Sequence, residues 1–216
     1  MIEKTYFVSG IDTNIGKSYA TGYIAKQWMS EGEKVITQKL IQTGNNDFSE
    51  DIDLHRKIMK IENTPFDIDK TTMPEIFSYP CSPLLASKLD NREIDFNKIK
   101  SASKILEENF DKVIVEGAGG LMVPLLEDYF IIDYVRDMNY PLIFVTCGRL
   151  GSVSQTMLNL RIIKSYNIKL HTLIYNTAFD SDELISNDSF EFIQRQTSKL
   201  FENVKIIKLP RISFFK

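Results

Sequence analysis

Gly10-Ile-Asp-Thr-Asn-Ile-Gly-Lys-Ser18 stands between an apolar triplet, Tyr6-Phe7-Val8, and a stretch of helical period from Gly16 to Ser30. A glycine-rich turn that enters a helix aims backbone N–H groups at one point, where the helix dipole also favours negative charge. The segment reads as a phosphate loop. Lys17 is expected to reach the β- and γ-phosphates of a nucleoside triphosphate, and Ser18 to place its hydroxyl on the accompanying Mg²⁺, a hard cation that prefers oxygen ligands. One residue more separates Gly10 from Gly16 than in the usual Gly-x-x-x-x-Gly-Lys spacing, so the loop is a variant.

Outward from the loop, short apolar runs alternate with helical stretches, the pattern of βαβ units in a parallel sheet. The first helix carries Tyr19, Ala20, Tyr23, Ile24 and Trp28 on its period, with Gly32 as the stop. Strands are expected at 34–39, 113–115, 142–145, 170–175 and 204–207, and further helices at 51–60, 96–110, 152–166 and 190–201. Between the helices at 51–60 and 96–110 lies a proline-bearing stretch that reads as irregular. Val113-Ile-Val115 and Leu142-Ile-Phe-Val145 are unbroken apolar runs, as in strands covered by helices on both faces. The 216 residues suit a single domain, 1–216, with one core.

Composition excludes several classes. Lys and Arg total 26 against 29 Asp and Glu, a net charge of −3, so there is no bulk basic field for nucleic acid or anionic lipid. Cys81 and Cys147 have no metal or disulfide spacing and read as small apolar residues; no apolar run is long enough to span a bilayer, and no export segment opens the chain. A cytoplasmic protein is expected. His55 and His171 lack a paired acid or serine at catalytic spacing and are assigned to a helix surface and a strand end. Lys98, Lys100 and Lys104 read as one solvated helix face.

Two more segments belong at the ligand end of the sheet. In Val113-Ile-Val-Glu-Gly-Ala-Gly-Gly120, Glu116 closes a strand and can join Ser18 on the metal, while Gly117, Gly119 and Gly120 let backbone approach phosphate. In Lys39-Leu-Ile-Gln-Thr-Gly44, Lys39 supplies a second cation, suited to phosphoryl transfer, where fixed charges stabilise the equatorial oxygens. Asp51 and Asp53 open a helix, where spacing alone leaves capping and metal binding equally open.

Taken in order, Gly-x-Asp-Thr-x-x-Gly-Lys-Ser, Lys-x-x-x-Thr-Gly, a short acidic helix and Val-Ile-Val-Glu-Gly-Ala-Gly-Gly resemble the dethiobiotin synthetase family over about the first 120 residues. Weaker similarity continues through Tyr79-Pro-Cys-Ser-Pro83, Gly148-Arg-Leu-Gly-Ser152, Asn176 and Leu209-Pro-Arg-Ile212. The resemblance implies a three-layer α/β fold of the P-loop NTPase kind, with a mostly parallel central sheet flanked by helices. It implies ATP-dependent carboxylation and ring closure of 7,8-diaminononanoate with CO₂ to dethiobiotin, through a carbamate and its anhydride with phosphate. ATP and Mg²⁺ are the implied cofactors, and the implied assembly is a homodimer.

By the same resemblance Lys17, Lys39 and Thr13 carry catalysis, and Ser18, Asp51 and Glu116 hold Mg²⁺, Asp51 being preferred to Asp53. Nucleotide contacts fall on Asn14, Ile15, Gly16, Lys17, Ser18, Tyr19, Gly117, Ala118, Gly119, Asn176, Thr177, Pro210, Arg211 and Ile212. Substrate contacts fall on Thr13, Lys39, Thr43 and Ser82, with Gly151, Ser152 and Val153 receiving the carboxylate of a substrate from the neighbouring subunit. Three departures stand out: Leu40 in place of a usual proline, a compressed link from Thr43 to Asp51, and an early end after Ile212. The last carries an expectation of looser nucleotide preference than ATP alone. Another ATP-dependent amidoligase or a partitioning-type ATPase switch is the alternative, the latter weakened by Ile11 where such switches carry lysine.

Overall fold

The computed structural model describes residues 3–180 and 182–212. Met1, Ile2 and the four residues after Ile212, on which the expectation of looser nucleotide preference turns, lie outside the described residues. The first half runs β1 (Thr5–Gly10), α1 (Lys17–Ser30), β2 (Val35–Lys39), β3 (Gln42–Thr43), α2 (Glu50–Met59), α3 (Pro65–Ile68), β4 (Ile76–Phe77), α4 (Pro83–Leu89) and α5 (Phe96–Asn109). The second half runs β5 (Lys112–Gly120), β6 (Pro124–Leu126), β7 (Tyr129–Phe130), α6 (Ile131–Asp137), β8 (Leu142–Cys147), α7 (Ser152–Ser165), β9 (Leu170–Asn176), a 3₁₀ turn (Thr177–Phe179), α8 (Glu183–Leu200) and β10 (Lys205–Leu209).

Six strands form the central sheet in the order β10-β9-β8-β1-β5-β2, and every pairing in it is parallel. β1 and β8 are buried along their whole length, as expected of central strands covered on both faces. Because β1 sits between β5 and β8, its C-terminal end delivers the phosphate loop to the middle of the sheet edge, where ligands bind in open α/β sheets.

The stretch between α2 and α5 is less irregular than its prolines imply. It contains α3 and α4, each with proline in its first turn and Thr64 or Ser82 at the N-cap, the positions where proline costs no hydrogen bond. α6 was not anticipated, its five leading residues being buried. α8 begins at Glu183 rather than at 190, capped by the Asp182 side chain on the Ile185 N–H.

One face of α2 is set by a buried ion pair. Arg56 Nε and Nη2 donate to the Asp67 carboxylate at 2.9 and 2.7 Å, both residues being almost fully buried. Burial alone favours the neutral acid, but the Arg56 bonds and charge, with Thr72 and Thr64, outweigh it and hold the Asp67 carboxyl below its ordinary value. A depressed carboxylate pKa stabilises the fold above the unfolded-state value, and that stabilisation is lost as pH falls through the folded-state value. Asp67→Asn, which leaves Arg56 buried without its counter-charge, is expected to cost about 3 kcal/mol at neutral pH. Urea unfolding of both proteins from pH 7 to pH 3 checks this: the gap between them narrows below about pH 4, and a gap constant with pH would show that the charge is not responsible.

Candidate active site

The phosphate loop is held by close packing beneath it. Gly10 has Ile15 and the Val145 carbonyl so near that any Cβ would lie 2.8 Å from each, and Ile15 is itself 1% exposed. Asn14 and Gly16 both take positive φ, at 57° and 89°. Gly16 is the N-cap of α1 and lies against Asn176, whose amide donates to the Ile15 carbonyl at 2.8 Å. Lys17, 6% exposed, turns back to donate to the Asp12 carbonyl at 2.7 Å. Burial pushes its ammonium down to about 8 against the attraction of Glu116, so the loop holds a cation poorly hydrated and short of an anionic partner.

Behind the loop four side chains converge from four elements. Ser18 Oγ lies 2.5 Å from Asp51 Oδ1 and 2.9 Å from Glu116 Oε1. Lys39 Nζ sits between the two acids, 2.6 Å from Asp51 Oδ2 and 2.9 Å from Glu116 Oε1. Glu116 is buried, which alone would favour the neutral acid, yet the Lys39 charge and a His55 hydrogen bond dominate and hold it far below the usual carboxylate range. Lys39 is likewise held above its ordinary value: burial opposes its charge, but Glu116 and Asp51 outweigh burial.

The donor set fits a hard divalent cation. A hydroxyl and two carboxylates supply only oxygen, and the Lys39 ammonium shows that a cation is stable among them. Among the described residues no three His, Cys, Asp or Glu side chains gather to hold a metal. Asp53 points away, pairing with Lys57 at 2.5 Å on the exposed side of α2.

The cleft over these groups has a volume of about 1110 Å³. Its walls include Thr13, Asn14, Gly16, Tyr19, Thr43, Ser82, Ala118, Gly119, Asn176, Pro210, Arg211 and Ile212, so most of the expected site residues share one space. Several do not reach it as side chains. Ile15 is core, Gly117 packs where a Cβ would meet the Phe7 ring at 2.8 Å, and the Thr177 hydroxyl donates to the Leu209 carbonyl. Gly151, Ser152 and Val153 are not among the lining residues, and the Ser152 hydroxyl is spent on the Cys147 carbonyl at 2.6 Å.

The assignment of His55 to a helix surface is wrong. His55 is fully buried, with Nδ1 3.1 Å from Thr37 Oγ1 and Nε2 2.8 Å from Glu116 Oε2. The signal was present: Ile52, His55, Arg56 and Met59 follow the i, i+3, i+4, i+7 spacing of one face, and all four are buried. Two polar residues on an otherwise apolar stripe mark an internal polar network.

The AAA domain family matches residues 4–209. The chain is 44% identical to ATP-dependent dethiobiotin synthetase BioD 2 of Pasteurella multocida, over 97% of this chain and 99% of that one. It is 42% identical to the protein of the same name in Haemophilus ducreyi, over 96% and 99% of the two chains. The chain belongs to the ATP-dependent dethiobiotin synthetase family. Similarity also extends to ATP-dependent dethiobiotin synthetase BioD of Chlorobaculum tepidum, 43% identical over 86% of this chain and 78% of that relative. Among solved structures, a ParA family ATPase from Chlorobium tepidum TLS superposes with a TM-score of 0.55 at 15% identity, covering 98% of this chain and 86% of the other. FlhF complexed with GMPPNP/Mg(2+) gives 0.51 at 12% identity, over 98% and 67%. At such identities the two structures establish the shared fold of this dethiobiotin synthetase family member and nothing of its chemistry.

Proposed function

We propose that the chain, acting as one domain, catalyses the ATP-dependent carboxylation and ring closure of 7,8-diaminononanoate with CO₂, yielding dethiobiotin, ADP and phosphate. The observation that carries the reading is the meeting of Lys17, Lys39, Ser18, Asp51 and Glu116 at the end of the central strands, in a chain of this family. One substrate amine adds to CO₂ to give a carbamate and a proton. The carbamate oxygen then takes the γ-phosphoryl group with loss of ADP, and the second amine displaces phosphate to close the cyclic urea.

Each residue has a task in that sequence. Lys17 leaves the Asp12 carbonyl for the phosphoryl oxygens, and Lys39 stabilises charge on the phosphoryl and carbamate oxygens. Thr13 and Thr43 hydrogen-bond the carbamate or amine end, and Ser82 closes the substrate side of the cleft. Ser18, Asp51 and Glu116 would hold Mg²⁺, which supplies charge neutralisation for the β- and γ-oxygens. Asn14, Gly16 to Tyr19, Ala118, Gly119, Asn176 and Pro210 to Ile212 surround the nucleotide. By the resemblance to the family, Gly151 to Val153 serve a partner's substrate in a homodimer, a helix N-terminus being a sound carboxylate site. A cytoplasmic location fits two unpaired cysteines, and among the described residues no helix is long and apolar enough to cross a membrane.

The test is phosphate release from ATP, Mg²⁺ and bicarbonate with and without the diamine, with products read by mass. Release that depends on the diamine and matches dethiobiotin is expected. Slow hydrolysis indifferent to the diamine would leave the phosphate loop standing and remove the ligase reading.

A further inference from the structure

His55 and Thr21 meet the Glu116 carboxylate on the side away from Lys39 and Ser18. The Glu116 carboxylate divides its work: Oε1 faces Ser18 and Lys39 at 2.9 Å each, and Oε2 faces His55 Nε2 at 2.8 Å and Thr21 Oγ1 at 2.9 Å. The Thr21 hydroxyl has a single hydrogen and a second acceptor in reach, the Lys17 carbonyl at 2.9 Å one turn back in the helix. His55 is therefore the donor committed to Oε2.

The ring is held from behind. Asp67 holds Arg56, and Arg56 Nη1 donates to Thr37 Oγ1 at 2.8 Å. A carboxylate only accepts, so His55 Nε2 carries the proton that faces Oε2, while Nδ1 lies against the Thr37 hydroxyl that Arg56 holds in place. We propose that His55 is a positioning residue: through the ordered chain Asp67–Arg56–Thr37–His55 it locks the Glu116 carboxylate so that Oε1 stays turned toward Ser18 and the cation site. The inference rests on the reading of Glu116 as a cation ligand.

Two measurements decide it. The chain has two histidines, so ¹⁵N NMR of a His171→Gln protein reports the His55 ring alone; a proton on Nε2 is expected, and a proton carried on Nδ1 alone would overturn the proposal. Mn²⁺ binding to the ATP-loaded chain, followed by electron paramagnetic resonance, is expected to weaken about 10- to 100-fold in His55→Leu, the range for loss of a ligand's supporting partner. His55→Gln, which keeps a donor toward Glu116, is expected to recover most of that loss, while ATP affinity without metal stays unchanged in both. If His55→Leu does not fold, the ring tautomer and the Gln variant still decide. An absence of Mn²⁺ binding by the wild-type chain would remove the reading of Glu116 and this one with it, whereas Mn²⁺ binding indifferent to His55 overturns this one alone.

Discussion

Lys39→Met is expected to lower kcat by about 10²- to 10³-fold, the loss seen when one fixed electrostatic donor to a transition state is removed. Methionine keeps the length and apolar stem of lysine, so the packing of β2 survives and the charge is what disappears. The ammonium now bridges two acids, one buried and one about a fifth exposed. Without it Asp51 and Glu116 face each other uncompensated, and removing one partner of a buried pair costs about 3–5 kcal/mol. A drop in the thermal midpoint should therefore accompany the loss of turnover, and added Mg²⁺ should restore part of the midpoint without restoring kcat. Thermal melts and steady-state kinetics on one preparation separate the two effects. An unchanged kcat would show that Lys39 only neutralises its neighbours.

The second large effect is expected at Gly16. Its φ of 89° is costly for any residue with a Cβ, by about 1–2 kcal/mol, and that Cβ would lie 2.3 Å from Asn176 Nδ2. Gly16→Ala must push Asn176 off the Ile15 carbonyl, so both walls of the phosphate loop move. Nucleotide affinity, read by titration with a fluorescent ATP analogue, is expected to fall at least about tenfold, equivalent to 1.4 kcal/mol. Gly32 provides the control: its φ is 95° but nothing lies within 4 Å of an added Cβ. Gly32→Ala should pay the backbone strain in stability and leave nucleotide affinity alone. Equal losses in both variants would place the effect in general destabilisation rather than in the loop.

The sheet was legible because short apolar runs alternate with helical stretches, and β5 and β8 carry unbroken apolar runs at 113–115 and 142–145. The phosphate loop, Lys39 and Glu116 were legible because their types and order are constrained by charge and backbone geometry. α8 was read too short because Ser186-Asn-Asp-Ser189 has weak helical preference and Leu184 and Ile185 are exposed, so its first turns show no apolar stripe facing inward. His55 was misread for a different reason: a histidine on a short acidic helix looks solvated until its partners, Thr37 and Glu116, are brought in from two other strands. Pairings of that kind are a property of topology, and no local window contains them.

The position of β1 in the middle of the sheet also governs when the protein can become itself. Thr5 pairs with Val113 and Phe7 with Leu142, so β1 waits for partners made much later. Asn176, which props the phosphate loop at Gly16, is synthesised later still. At about 5–20 residues per second, roughly 8 to 30 seconds separate the making of the loop from the making of its last support. Non-local pairing of this kind also slows the search for the native state, since loop closure must be accomplished before the contacts reward it. The earliest-made part of the site thus depends for its shape on residues made long after it.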